Sequence, residues 1–190
     1  MNYYDDIQNV EQYIKMAEGF DGRELIPILR MHLEDGATVL ELGMGPGKDL
    51  ALLGQHFQVT GSDYAAVFVK RYQAQHPTAD VLVLDAVTMD IERQFDCIYS
   101  NKVLYHLTKA ELQQSFERQA AVLKEGGLLF HTFWAGDAEE EMHGLTMVYH
   151  TAASLTELLG SRYEVIDIKP YAEMEDDDSL ILIARKGVEQ

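Results

Sequence analysis

Short apolar runs alternate with amphipathic stretches along most of the chain. Residues 7–33 carry two helical patterns. In the first, Val10, Tyr13, Ile14 and Ala17 recur at the spacing that places them on one helical face. In the second, Asp21 with Glu24 three residues later has the form of a capping box, and Pro27 blurs its start. Thr38–Leu42, Gln58–Ser62, Val81–Leu84, Phe95–Ser100 and Leu128–Phe133 read as strands. Helices are expected among them at about Asp49–His56, at Tyr64–Gln75, and after Thr108. The last of these opens on a Thr108/Glu111 capping box, carries a Leu112, Phe116, Ala120, Leu123 stripe and is ended by Gly126–Gly127. A final helix spans Thr151–Leu159. Tyr163–Ile168 and Leu180–Ala184 close the chain with no helix between them.

Apolar strands set among helices are the pattern of a parallel sheet covered on both faces. The last two strands, lacking a crossover, should pair as an antiparallel hairpin. The expected fold is α/β: a doubly wound, mostly parallel Rossmann-like sheet with an antiparallel C-terminal edge. The whole chain, residues 1–190, is read as one domain, with residues 1–33 as a helical cap or lid over a core of 36–190. Tyr3, Tyr4 and Tyr13 are the candidate lid side chains.

The loop after the first strand changes this picture from fold to chemistry. Glycines stand at 43, 45 and 47, where a strand gives way to a helix. Glycine there permits positive φ and lets backbone approach a ligand closely. Asp63, at the end of the second strand, is placed to accept both hydroxyls of a ribose. A dinucleotide fingerprint runs G-x-G-x-x-G/A. Here the third glycine comes one residue early, and Lys48 fills the dinucleotide position. Glu41 lies at the mouth of the loop. A carboxylate there would repel a pyrophosphate and attract the ammonium and sulfonium of S-adenosylmethionine.

The chain resembles the class I S-adenosylmethionine-dependent methyltransferases from about residue 36 to its end. The family's acid-x-G-x-G-x-G motif matches Glu41 to Gly47, and its second-strand acid matches Asp63, with Tyr64 able to pack on the adenosine. Its third-strand acid matches Asp85, followed by Ala86. Its fourth-strand motif matches Phe95–Asp96 through Ser100–Asn101, and Leu123–Lys–Glu–Gly–Gly127 fits the entry to the fifth strand. The resemblance implies S-adenosyl-L-methionine as cofactor, held by Glu41, Gly43, Gly45, Gly47, Asp63, Tyr64, Asp85, Ala86 and Ser100. It also implies in-line transfer of the methyl group to an acceptor. His106, just past the fourth strand, is the first candidate base; His131, in the fifth strand, is a weaker one and reads first as a core histidine. Tyr105, Trp134 and Tyr149 are candidate acceptor contacts, with Met142 and Met147 nearby.

Composition narrows the acceptor. Fifteen basic against 32 acidic residues give a net charge of −17, which repels phosphate backbones and argues against nucleic acid. The acid runs Glu139–Glu141 and Glu173–Asp178 read first as solvated loops. No apolar run is long enough to span a bilayer, and the polar start has no signal-peptide character. A single cysteine, Cys97, suits a reducing compartment. The expected setting is cytoplasmic, away from membranes, as monomer or homodimer. The seven histidines show no metal-ligand spacing, so no metal is expected. A small-molecule methyltransferase is the leading reading. A methyltransferase acting on basic peptides and a non-catalytic S-adenosylmethionine-binding protein are the alternatives.

Overall fold

The computed structural model describes residues 7–142 and 144–187. Tyr3, Tyr4 and the side chain of Met142 lie outside that description. Among the described residues, six α-helices and nine strands follow one another as α1 (Ile7–Met16), α2 (Leu25–Leu29), β1 (Thr38–Leu42), α3 (Lys48–Leu53), β2 (Gln58–Asp63), α4 (Ala66–Gln75), β3 (Val81–Val83), β4 (Phe95–Asn101), α5 (Lys109–Val122), β5 (Leu123–Trp134), β6 (Glu139–Met142), β7 (Leu145–Val148), α6 (Ala152–Leu159), β8 (Tyr163–Tyr171) and β9 (Ser179–Lys186). Among the described residues, no helix is long and apolar enough to cross a membrane.

Seven strands form one sheet in the order β3-β2-β1-β4-β5-β9-β8. The first five of these are parallel, while β9 runs antiparallel to both β5 and β8. Alternate side chains of a strand point to opposite faces, and both faces here are covered. Leu40, Ile98 and Leu129 meet Leu112 and Phe116 of α5 and Leu155 and Leu159 of α6. Val39, Cys97 and Phe130 meet Leu25, Ile26 and Leu29 of α2 and Leu53 of α3. Strand order reverses between β1 and β4, which opens a crevice at their carboxyl ends. Helix α1 reaches that crevice by packing Val10 and Tyr13 against Phe68 of α4, with the Tyr13 and Phe68 rings edge-on at 5.8 Å.

Three local expectations are corrected. Asp21 does not cap α2; its carboxylate is taken by the Arg23 guanidinium at 2.7 and 2.8 Å, and α2 starts after Glu24 without a side-chain cap. Pro27 sits in the first turn, where a missing N–H costs no helical bond. Helix α5 ends at Val122 rather than at Gly126–Gly127. Leu123 already pairs with Phe95, and the register resumes only at Cys97 with Leu128. The intervening residues bulge out, with Gly126 at φ +68°. Glu139–Glu141 is not loop but β6, paired antiparallel with β7. Its acids stay exposed, so local polarity concealed a strand made by its partner. The Thr108/Glu111 capping box is present with both of its reciprocal bonds.

Candidate active site

A cleft of about 660 Å³ opens over the carboxyl ends of β1, β2, β3 and β4. The glycine loop forms its floor. Gly43, Gly45 and Gly47 all have positive φ, at 66°, 50° and 84°. A side chain at Gly43 would strike Val103 at 2.5 Å, and one at Gly47 would strike the Tyr72 ring. Gly43 and Gly45 line the cleft, while Gly47 turns the chain into α3 beneath it.

Three carboxylates converge at the head of the cleft. Glu41 is 3% exposed, and its Oε2 has no hydrogen-bond partner. Burial raises its carboxyl well above the usual range, and the nearby Asp49 and Asp63 raise it further. Asp63 accepts from Gly45 N at 2.9 Å and Ala65 N at 2.8 Å. Burial raises its carboxyl too, against the pull of those two amides. Asp49 accepts from Gly22 N at 2.6 Å, Tyr99 Oη at 2.7 Å and Asn101 Nδ2 at 3.0 Å. Among the described residues, no salt bridge reaches this group: of the two lysines lining the cleft, Lys48 donates to the Ala17 carbonyl at 2.6 Å and Lys102 to the Phe133 carbonyl at 3.1 Å.

Along the cleft, Tyr64 stands 59% exposed at the rim, and Asp85, Ala86 and Val87 line the wall beyond β3. Asp85 accepts from Val87 N at 2.7 Å. The opposite end is built by Lys102, Tyr105, His106, Trp134, Leu145 and Glu173. Tyr13, Met16, Ala17 and Phe20 close one side from α1 and the turn after it. Among the described residues, no group of three or more His, Cys, Asp or Glu side chains gathers to hold a metal.

The His106 ring is fixed by the Thr146 carbonyl of β7, 2.9 Å from its Nδ1. A carbonyl only accepts, so Nδ1 carries the proton and Nε2 keeps its lone pair. Burial lowers the His106 pKa from 6.5, and the Thr146 bond opposes that fall.

The cleft thus gathers the expected residues Glu41, Gly43, Gly45, Asp63, Tyr64, Asp85, Ala86, Tyr105, His106 and Trp134. Ser100, His131 and Tyr149 do not line it. His131 is fully buried, 2.8 Å from both Ser100 Oγ and Gln119 Oε1. Gln119 spends its amide N–H on Ser115 Oγ, so its carbonyl accepts from His131 Nε2 and Nδ1 accepts from Ser100. Ser115 then donates to the Ala86 carbonyl at 2.6 Å. Ser100 and His131 therefore brace the Ala86 wall from behind. Asp49 and Lys102 also line the cleft, although sequence reasoning did not place them there. Their partners lie far along the chain, so no local signal marks them.

Burial pulls His131 down to about pKa 3. Its ring resonances are expected to stay at neutral-imidazole positions from pH 8 to 4.5, as read by NMR. Because its folded pKa lies below the unfolded value near 6.5, its share of stability is present above that pH. It is lost as pH falls toward 3.

A doubly wound sheet with a glycine loop, an unpaired buried acid and further acids at successive strand ends defines a binding fold for a cationic nucleoside. The family model "Methyltransferase domain" matches residues 39–127. A tRNA (carboxymethyluridine(34)-5-O)-methyltransferase of Arabidopsis thaliana is 33% identical over 110 residues, which are 57% of this chain and 26% of the relative. A trans-aconitate 2-methyltransferase of Methylobacterium radiotolerans is 31% identical over 105 residues, 54% of this chain and 40% of that one. The chain therefore spans well under half the length of these curated relatives. The structure of a 1,6-didemethyltoxoflavin-N1-methyltransferase of Burkholderia thailandensis, with 1,6-didemethyltoxoflavin and S-adenosylhomocysteine bound, superposes with a TM-score of 0.79. It covers 98% of this chain and 87% of that one; at 21% identity the likeness is one of fold. Residues 39–127 thus match the methyltransferase family model, and the fold is the one seen in S-adenosylmethionine-dependent methyltransferases.

Proposed function

We propose that this chain binds S-adenosylmethionine in the cleft and transfers its methyl group to a small-molecule acceptor. The observation that carries this reading is Glu41 Oε2: a buried carboxylate oxygen without a partner, beside two more acids and facing a cleft. Such an arrangement is costly unless a cation arrives. Bound cofactor would supply that cation and an activated methyl group. Glu41 would hold the ammonium end. Asp63 keeps lone pairs beyond its two amide bonds and would accept the ribose hydroxyls. Asp85 and the Ala86 amide would read the adenine edge, with Tyr64 packed on its face.

His106 is the proposed base. Its Nε2 lone pair is free by tautomer, and its lowered pKa keeps the ring neutral at pH 7. It would take a proton from an acceptor hydroxyl, thiol or amine as the new bond forms. His106→Ala should lower kcat by about 10²- to 10³-fold, the usual scale for a general base, with cofactor affinity unchanged. In the wild type, kcat should fall as pH drops through a value below 6.5, and this limb should vanish in the variant. Unchanged turnover in His106→Ala removes the base assignment.

The net charge of −17 and the cover of α1 over one side of the cleft support a small, non-polyanionic acceptor. Calorimetry with S-adenosylmethionine, followed by a methyl-transfer screen of phenols, thiols, amines and basic peptides, tests the reading. Absence of cofactor binding overturns it. Transfer to peptides alone replaces the acceptor class, and binding without any turnover makes the protein a cofactor-binding module.

A further inference from the structure

Lys102 lies one residue past β4 with φ +54°, a conformation side chains other than glycine rarely adopt. Such backbone persists only where the surroundings hold it. Here Lys102 N donates to Thr132 Oγ1 at 3.0 Å. The ammonium donates to the Phe133 carbonyl at 3.1 Å and to Ser179 Oγ. It also sits 3.4 Å above the centre of the Trp134 ring and 5.4 Å from that of Tyr171. One side chain therefore ties the ends of β4, β5 and β9 together and clasps the aromatic wall of the cleft. Tyr105 meets the same indole edge-on, with ring centres 6.5 Å apart.

We propose that Lys102 is the positioning residue of the acceptor end, its ammonium pinning the Trp134 ring as the wall against which the acceptor lies. The pinning itself is independent of chemistry; that the wall faces an acceptor rests on the methyltransferase reading above. Lys102 makes no salt bridge among the described residues. The charged groups facing it are Glu173 and Asp178, from the loop between β8 and β9. Both favour the ammonium, but burial outweighs them and lowers its pKa to about 8. The remaining titratable neighbours are Tyr171 and Tyr105, and burial raises both hydroxyls. The cation–π contact is therefore present at pH 7 and lost as pH rises through about 8, because a neutral amine has no charge for the ring quadrupole to attract.

Trp134 is the only tryptophan, so tryptophan emission reports on this one site. In the wild type, the emission maximum or intensity should shift between pH 6.5 and 9.5 with a midpoint near 8. Lys102→Arg, charged throughout, should hold the low-pH emission across that range. Lys102→Met should show no transition and about twofold greater quenching of Trp134 by acrylamide. The dissociation constant of S-adenosylhomocysteine should stay within about twofold in both variants. With an acceptor the wild type methylates, Lys102→Met should raise KM about tenfold and leave kcat within about threefold. A flat wild-type titration, a transition that persists in Lys102→Met, or a kcat loss at unchanged KM overturns the proposal. If Lys102→Met does not fold, the wild type and Lys102→Arg titrations decide it. Failure of S-adenosylhomocysteine to bind would count against the methyltransferase reading while the emission titration still judges the pinning.

Discussion

Replacing Glu41 with glutamine is expected to weaken S-adenosylmethionine binding by about 100-fold while raising the melting temperature of the cofactor-free protein. The two effects have one cause. In the free protein Glu41 is a desolvated carboxylate with an unpaired oxygen, facing Asp49 and Asp63. Glutamine keeps its shape and removes the charge that those neighbours oppose. In the complex the same charge is what meets the cofactor's cation. Loss of one partner from a desolvated charge pair costs about 2–5 kcal/mol, and ~100-fold lies within that span. The stability gain should be ~1–2 kcal/mol, or a few degrees in a chain of this size. Its pH dependence has a definite sign. The folded Glu41 pKa lies above the unfolded value, so the wild type loses stability as pH rises through that folded pKa. The advantage of the variant is therefore largest at neutral pH and fades below about pH 4.5, where both states are protonated. Calorimetry and thermal melts at pH 7 and 4.5 check this. Wild-type affinity, or a lower melting temperature at pH 7, would sink it.

Asp49→Ala should act in the opposite direction on stability. Asp49, on α3, accepts from three donors in two other segments: Gly22 N before α2, and Tyr99 Oη and Asn101 Nδ2 on β4. Tyr99 is fully buried and stacked on Phe130 at 5.7 Å, so its hydroxyl has no water to turn to. Each buried donor left unpaired costs about 1–3 kcal/mol, and relief of the Glu41 repulsion returns part of that. A net loss of ~3 kcal/mol is expected, or about 6–12 °C in melting temperature. The Gly22 bond also anchors the segment that carries Phe20 and Asp21 into the cleft, so cofactor affinity should fall as well. A melting temperature within 2 °C of the wild type, measured by calorimetry, would show that Asp49 is not the tie described.

The contrast between these two residues shows what was readable in one dimension. Glu41 was legible because its position inside the glycine motif fixes its place at the end of a strand. Asp49 stands only eight residues further on, yet it read as the opening of a helix. Its meaning depends on Tyr99, fifty residues later, and on the Asn101 side chain, itself held by Thr132. His131 shows the converse. A histidine within the fifth strand reads first as a core residue and only second as a base, and its bonds to Gln119 and Ser100 fix it as a buried, neutral brace. Glu139–Glu141 read as loop because β6 has no apolar alternation of its own; it is a strand by virtue of pairing with β7.

By itself, then, the sequence determined the sheet, the glycine floor and the acids at the ends of β1, β2 and β3. Those features follow from short-range rules: side-chain alternation, the φ freedom of glycine, and the fixed reach from a strand to its terminal residue. Tertiary structure alone decided that Asp49 ties α3 to β4 and to the turn before α2, and that Lys102 clasps Trp134. It also decided that the Thr146 carbonyl, forty residues from His106, sets the imidazole tautomer. Each of these is a hydrogen bond or ring contact between elements distant in sequence, and such partners are chosen by how the layers pack.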